Sequence, residues 1–93
     1  MNLGELRKEI NEIDRQLVEL FSKRMAVSAR IAEYKRECGM PVQDTDRERE
    51  LLALIADLAG KELAEYAVEL YTKILALSRE YQKRLISGGE EHK

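Results

Sequence analysis

At 93 residues, with 37% charged and 44% hydrophobic residues, one Pro, one Phe and no Trp, the chain has room for one domain and the composition of exposed amphipathic helices. A formal net charge of -2, with no basic run interleaved with aromatics, excludes a general nucleic-acid binder. One cysteine excludes a disulfide framework or a Cys-rich metal site, and the one histidine, His92, lies in a polar tail where it is no base for a Ser-His or Cys-His couple.

The opening residues lack the basic and apolar segments of a signal peptide, and no stretch is long enough to span a membrane, so a cytoplasmic location is expected. The first helix is expected from about Glu5 to about Glu37, ended by Gly39 and by Pro41 beyond it. Leu3, Leu6, Ile10, Ile13, Leu17, Leu20, Val27, Ile31 and Tyr34 recur at steps of four and three, the spacing of a helix face that packs on another helix. Such a helix is about 50 Å long, whereas a compact chain of this size has a diameter of about 30 Å. The excess length calls for a partner, and the simplest one is the same helix of a second copy.

Arg24 stands in that seam where an apolar residue is expected. A guanidinium stays charged, so it either snorkels to water, pairs with a neighbouring Glu, or meets an anion supplied by a ligand. Ser28, Ile31 and Lys35 follow at helical offsets within the same narrow arc, which turns two cations toward one groove. Cys38, near the end of this helix, is a free thiol and is expected to be a bystander.

After a short extended connection at Met40 to Asp44, Thr45 and Glu48 have the spacing of a capping box, and Asp44 and Asp46 suit the positive end of a helix dipole. The second helix is expected over about 46–59, with Leu51, Leu52, Ile55 and Leu58 inward and Gly60 as its stop. Arg47 and Glu48 lie one turn before Leu51 and Leu52, so they either cap and pair at the surface or face inward. The third helix is expected over roughly 62–86 on Leu63, Ala67, Leu70, Ile74, Leu77, Tyr81 and Leu85. Ser78 and Gln82 extend the stripe of Tyr71 and Leu75, as the edge of the apolar face or as part of a site. Residues 87–93 read as a frayed tail, and 1–93 as a single all-α domain. Arg7 precedes Arg24 by 17 residues, about 25 Å along one helix. It is either a surface arginine or a residue that reaches the groove of a second subunit.

The ordered set Leu6-Arg7-Lys8-Glu9-Ile10, Ile13-Asp14, Lys23-Arg24, Lys35, Pro41-Val42, Asp44 through Glu50, and Ser78 with Gln82 closely resembles the all-helical chorismate mutases. The resemblance runs from about Leu3 to Leu85 and departs at no position where that family has a functional residue; a compact connection at Gly60-Lys61 is the one difference in layout. It implies an intertwined homodimer of three helices per subunit, with two shared active sites and no cofactor or metal. Arg7, from the partner, and Arg24 would then clamp the carboxylates of chorismate, with Ser78 touching one of them. Lys35 and Gln82 would donate to the ether oxygen of the bond that breaks. Asp44, Arg47 and Glu48 would hold the ring hydroxyl and shape the floor, with Ile31 against the ring. The implied reaction, chorismate to prephenate in aromatic amino-acid biosynthesis, is a unimolecular pericyclic shift and asks for no nucleophile or proton transfer. Two rivals stand beside it: an isochorismate-pyruvate lyase on a similar fold, and a helical module that binds a larger enzyme of aromatic biosynthesis.

Overall fold

The computed structural model describes residues 2–91. Three helices and no strand are found among them: α1 over Leu3–Cys38, α2 over Thr45–Ala59 and α3 over Ala64–Glu91. The all-α class expected from the periodicity is the observed one.

Each helix begins and ends for a local reason. Asn2, in an extended conformation, accepts the Glu5 N–H on its side chain at 2.9 Å and so caps α1. Gly39 adopts φ 68° at the other end, where its N–H bonds to the Arg36 carbonyl and the Met40 N–H to that of Lys35. These two bonds form the paired closure in which a left-handed residue reverses the chain, and only glycine enters that region without strain. The cap of α2 is Asp44 rather than Thr45: its carboxylate accepts the Arg47 N–H at 3.1 Å, which replaces the expected capping box. An aspartate outranks threonine as a cap and adds a charge favoured by the helix dipole, which leaves Glu48 free to turn elsewhere.

Gly60, at φ 86°, closes α2, and a turn through residues 61–63 delays α3 by two residues relative to expectation. At its far end α3 continues through 87–91, so these residues are helical rather than frayed. Adding residues to a formed helix costs far less than nucleating one, and Gly88 takes no left-handed turn that would break it. His92 and Lys93, also assigned to the tail, lie outside the described residues.

α3 is the shared partner, packing along α2 and across the C-terminal half of α1. Small side chains set the α1–α3 crossing: Ser28 and Ala32 are buried on α1, opposite Leu75, Ser78 and Gln82 on α3. Ala32 and Leu75 are the only buried apolar residues among those described. By contrast, Leu3, Leu6, Ile10, Ile13, Leu17 and Leu20 are each between 41% and 61% exposed. The result is an elongated chain of 55 × 31 × 14 Å with a radius of gyration of 16.7 Å, against about 12 Å for a compact chain of this length.

Candidate active site

Where the C-terminal half of α1 faces α3 and the start of α2, the three helices enclose a cavity of about 400 Å³. α1 contributes Arg24, Ser28, Ile31 and Lys35 from one face, as their offsets require. The left-handed turn at Gly39 sends the chain back over that face, bringing Val42 and Asp44 to the rim. Lys35 Nζ donates to the Val42 carbonyl at 2.7 Å, which fixes the ammonium under the returning segment. Arg47, Glu48 and Leu51 line the α2 side, and Leu75, Ser78, Arg79 and Gln82 the α3 side.

The charges are unevenly satisfied. Glu48, only 20% exposed, accepts from Arg79 Nη1 at 2.6 Å, joining α2 to α3. Asp44 is engaged as the cap of α2. Arg24 lies over the Tyr71 ring, 5.7 Å from its centroid, a cation–π arrangement that supports the guanidinium without neutralising it. Among the described residues no carboxylate comes within ion-pair distance of Arg24, Lys35 or Arg47. Four cations and two carboxylates line the cavity, a surplus of two positive charges in a chain whose total is -2. The anion that Arg24 requires is therefore not supplied by this subunit's described carboxylates.

Deeper in the cleft lies a neutral polar cluster. Gln82 Nε2 donates to Ser28 Oγ at 2.8 Å, and Ser28 Oγ and Ser78 Oγ are 2.5 Å apart and share a hydrogen bond. All three residues are buried, and among the described residues Gln82 Oε1 has no hydrogen-bond partner. Such a cluster is costly unless its geometry serves a purpose, because buried polar atoms forgo their bonds to water.

Of the residues singled out in the sequence, Arg24, Ile31, Lys35, Asp44, Arg47, Glu48, Ser78 and Gln82 come together at this cavity. Arg7 does not. It is exposed on the N-terminal half of α1, where residues 2–23 are all exposed. Sequence reasoning missed Arg79 and gave Ser28 no role. A signal for Arg79 was present, since an inward Glu48 needs a counter-charge and Arg79 adjoins Ser78 on α3. Cys38 is exposed and stands apart from the cavity.

The sequence model of the family described as chorismate mutase type II matches residues 6–83. The chain is 30% identical over 83 residues to a chorismate mutase of Methanocaldococcus jannaschii, covering 89% of this chain and 82% of that protein. It is 33% identical over 89 residues to a bifunctional chorismate mutase/prephenate dehydratase of Aquifex aeolicus, covering 89% of this chain and 24% of that protein. A protein of the same description from Buchnera aphidicola subsp. Schizaphis graminum is 34% identical over 88 residues, with 92% of this chain and 23% of that protein covered. The chain thus spans about a quarter of the length of these two bifunctional relatives.

Proposed function

The chain belongs to the type II chorismate mutase family, and from that premise we propose that it is an isomerase that converts chorismate to prephenate in aromatic amino-acid biosynthesis. The observation that carries this reading is the cavity's surplus of two positive charges, which matches a dicarboxylate, beside the neutral donor Gln82. The reaction breaks a carbon–oxygen bond and forms a carbon–carbon bond within one molecule, through a cyclic transition state that gathers negative charge on the ether oxygen. The protein has to hold a flexible dianion in the compressed conformer and meet that charge as it develops.

Arg24 provides a charge-assisted pair for one carboxylate, with Ser78 beside it, and Tyr71 supports the guanidinium from behind. Lys35 and Gln82 donate to the ether oxygen from opposite walls. Lys35 is already held by Val42, so little reorganisation remains at the moment of reaction. Arg47, Glu48 and Asp44 receive the ring hydroxyl, and Ile31 packs on the ring. None of these roles uses a cofactor or a metal.

With Lys35 turned to the ether oxygen and Arg47 to the ring hydroxyl, the cavity's net charge suits the dianion but no cation of this chain pairs directly with the second carboxylate, and Arg7 supplies that pair from a partner. In this reading the exposed seam of α1 lies on the α1 of a second copy, and the two active sites of the homodimer each borrow Arg7 from the other subunit. The exposed Leu3 to Leu20 stripe supports that arrangement, because an apolar face of this extent is unfavourable in water. The enzyme would act in the cytoplasm; no described helix is long and apolar enough to cross a membrane.

The decisive experiment follows the loss of chorismate's ultraviolet absorbance on adding purified protein, with prephenate identified as the product. Isochorismate is offered in parallel. Release of salicylate and pyruvate, without turnover of chorismate, would replace this reading by the lyase. No turnover of either would favour a binding module.

A further inference from the structure

We infer that Ser28 is a positioning residue for the reaction, holding the Gln82 amide so that a nitrogen and not an oxygen meets the developing charge. The inference rests on the mutase reading of the cavity. A glutamine amide has two ends of nearly equal size and opposite polarity, so shape alone cannot set which end faces a ligand. Gln82 is 6% exposed, and among the described residues its Nε2 has one hydrogen-bond partner, Ser28 Oγ at 2.8 Å, while its Oε1 has none. A hydroxyl can accept from Nε2 or donate to Oε1, so the orientation of the amide depends on where the Ser28 proton is committed.

That hydroxyl lies on a different helix, four residues after Arg24 on the same face of α1. A bond from α3 to α1 thus ties the neutral donor to the element that carries Arg24 and Lys35. The polarity of the chain of bonds also matters. A Ser28 oxygen that accepts from Nε2 keeps its own proton for Ser78 Oγ, 2.5 Å away, and Ser78 then keeps its proton for the cavity. Gln82 has two N–H bonds, of which Ser28 occupies one and leaves one to donate. With Ser28 removed, the amide is free to turn its oxygen toward the ether oxygen, where it repels charge that it should stabilise.

The test is a cycle of variants. Ser28→Ala keeps a small, helix-favouring side chain at the crossing, so the fold is retained. Its kcat should fall by about tenfold, the scale of one neutral hydrogen bond, while KM changes much less, because the bond matters for the transition state more than for binding. In a Gln82→Ala background, Ser28→Ala should lower kcat no further, since the amide it positions is gone, and any loss through Ser78 should fall on KM. A second readout needs no turnover: the side-chain NH2 signals of Gln82 in ¹⁵N-labelled protein should be sharp and single in the parent and broadened or doubled in Ser28→Ala.

Equal fractional loss in both backgrounds would make Ser28 a structural residue and overturn the inference. So would Gln82 signals that Ser28→Ala leaves unmoved. A parent protein inert toward chorismate would remove the mutase reading itself, and the Gln82 signals would still decide whether Ser28 holds the amide.

Discussion

In the proposed reaction, single side chains decide the chemistry of this cleft by the charge they bring or withhold. Gln82 shows this most directly, because a donor that is neutral and cannot ionise is hard to replace by its nearest relative. Gln82→Glu keeps the size of the side chain, but a carboxyl donates only when protonated, and an unperturbed Glu titrates at about 4.3. At neutral pH the variant presents an anion to growing negative charge, so activity should be poor and should recover as the pH falls, following protonation of the new carboxyl. The parent, with no titrating group in that role, should lack this acid recovery. A pH–rate profile of kcat for both proteins checks the point, and parent-like turnover of the variant at neutral pH would exclude donation by Gln82. Arg79 illustrates the opposite case. Its guanidinium is consumed by Glu48, half-buried at the α2–α3 contact, and that pairing leaves the other three cavity cations for a ligand.

Between elements, the joint after α1 matters most, since it folds Val42 and Asp44 back over Lys35. Gly39 holds φ 68° with open space around the position where a Cβ would stand, so a side chain there meets no clash and only the backbone conformation is penalised. Gly39→Val should destabilise the protein by roughly 1–2 kcal/mol, seen as a lower Tm, and should lower kcat as well by loosening the Lys35–Val42 bond. Loss of stability with unchanged kcat would separate the joint from the site. Helix number and class were legible in the sequence, because the spacing of Leu and Ile and the stops at Gly39 and Gly60 are written in local chemistry; the inward face was less so, since Leu58, Leu63 and Leu70, expected inward, are 73%, 56% and 56% exposed. The precise caps were less so: Asp44 and Thr45 are both good caps, and what discriminates them is that Glu48 has Arg79 as a partner on a helix 31 residues away. Ser28, though placed in the arc of Arg24 and Lys35, was given no role for a similar reason. A serine on a helix face is unremarkable until the crossing with α3 brings it against Gln82.

At the scale of the whole molecule, the chain is thin and covers little of its own apolar surface. Its thickness is 14 Å, little more than one helix diameter, and its buried apolar core is confined to Ala32 and Leu75 among the described residues. The periodicity of α1 carries the expectation of a partner, whereas no pattern in one chain can reveal where Arg7 of another would land. Light scattering should find a dimer. Arg7→Ala and Arg24→Ala should each be nearly inactive alone, and mixing them with subunit exchange should restore part of the activity, because one site of the mixed dimer retains both arginines. Proven exchange without recovery would mean that the two arginines act within one subunit. The exposed Leu3 to Leu20 stripe also has a consequence in time. A stretch that finds no cover in its own chain gains little from folding alone, because most helical stability in proteins comes from packing of an amphipathic face. The last step of folding should therefore be an encounter: refolding from denaturant should contain a phase whose rate rises with protein concentration, and the diluted chain should wait, partly formed, for its counterpart.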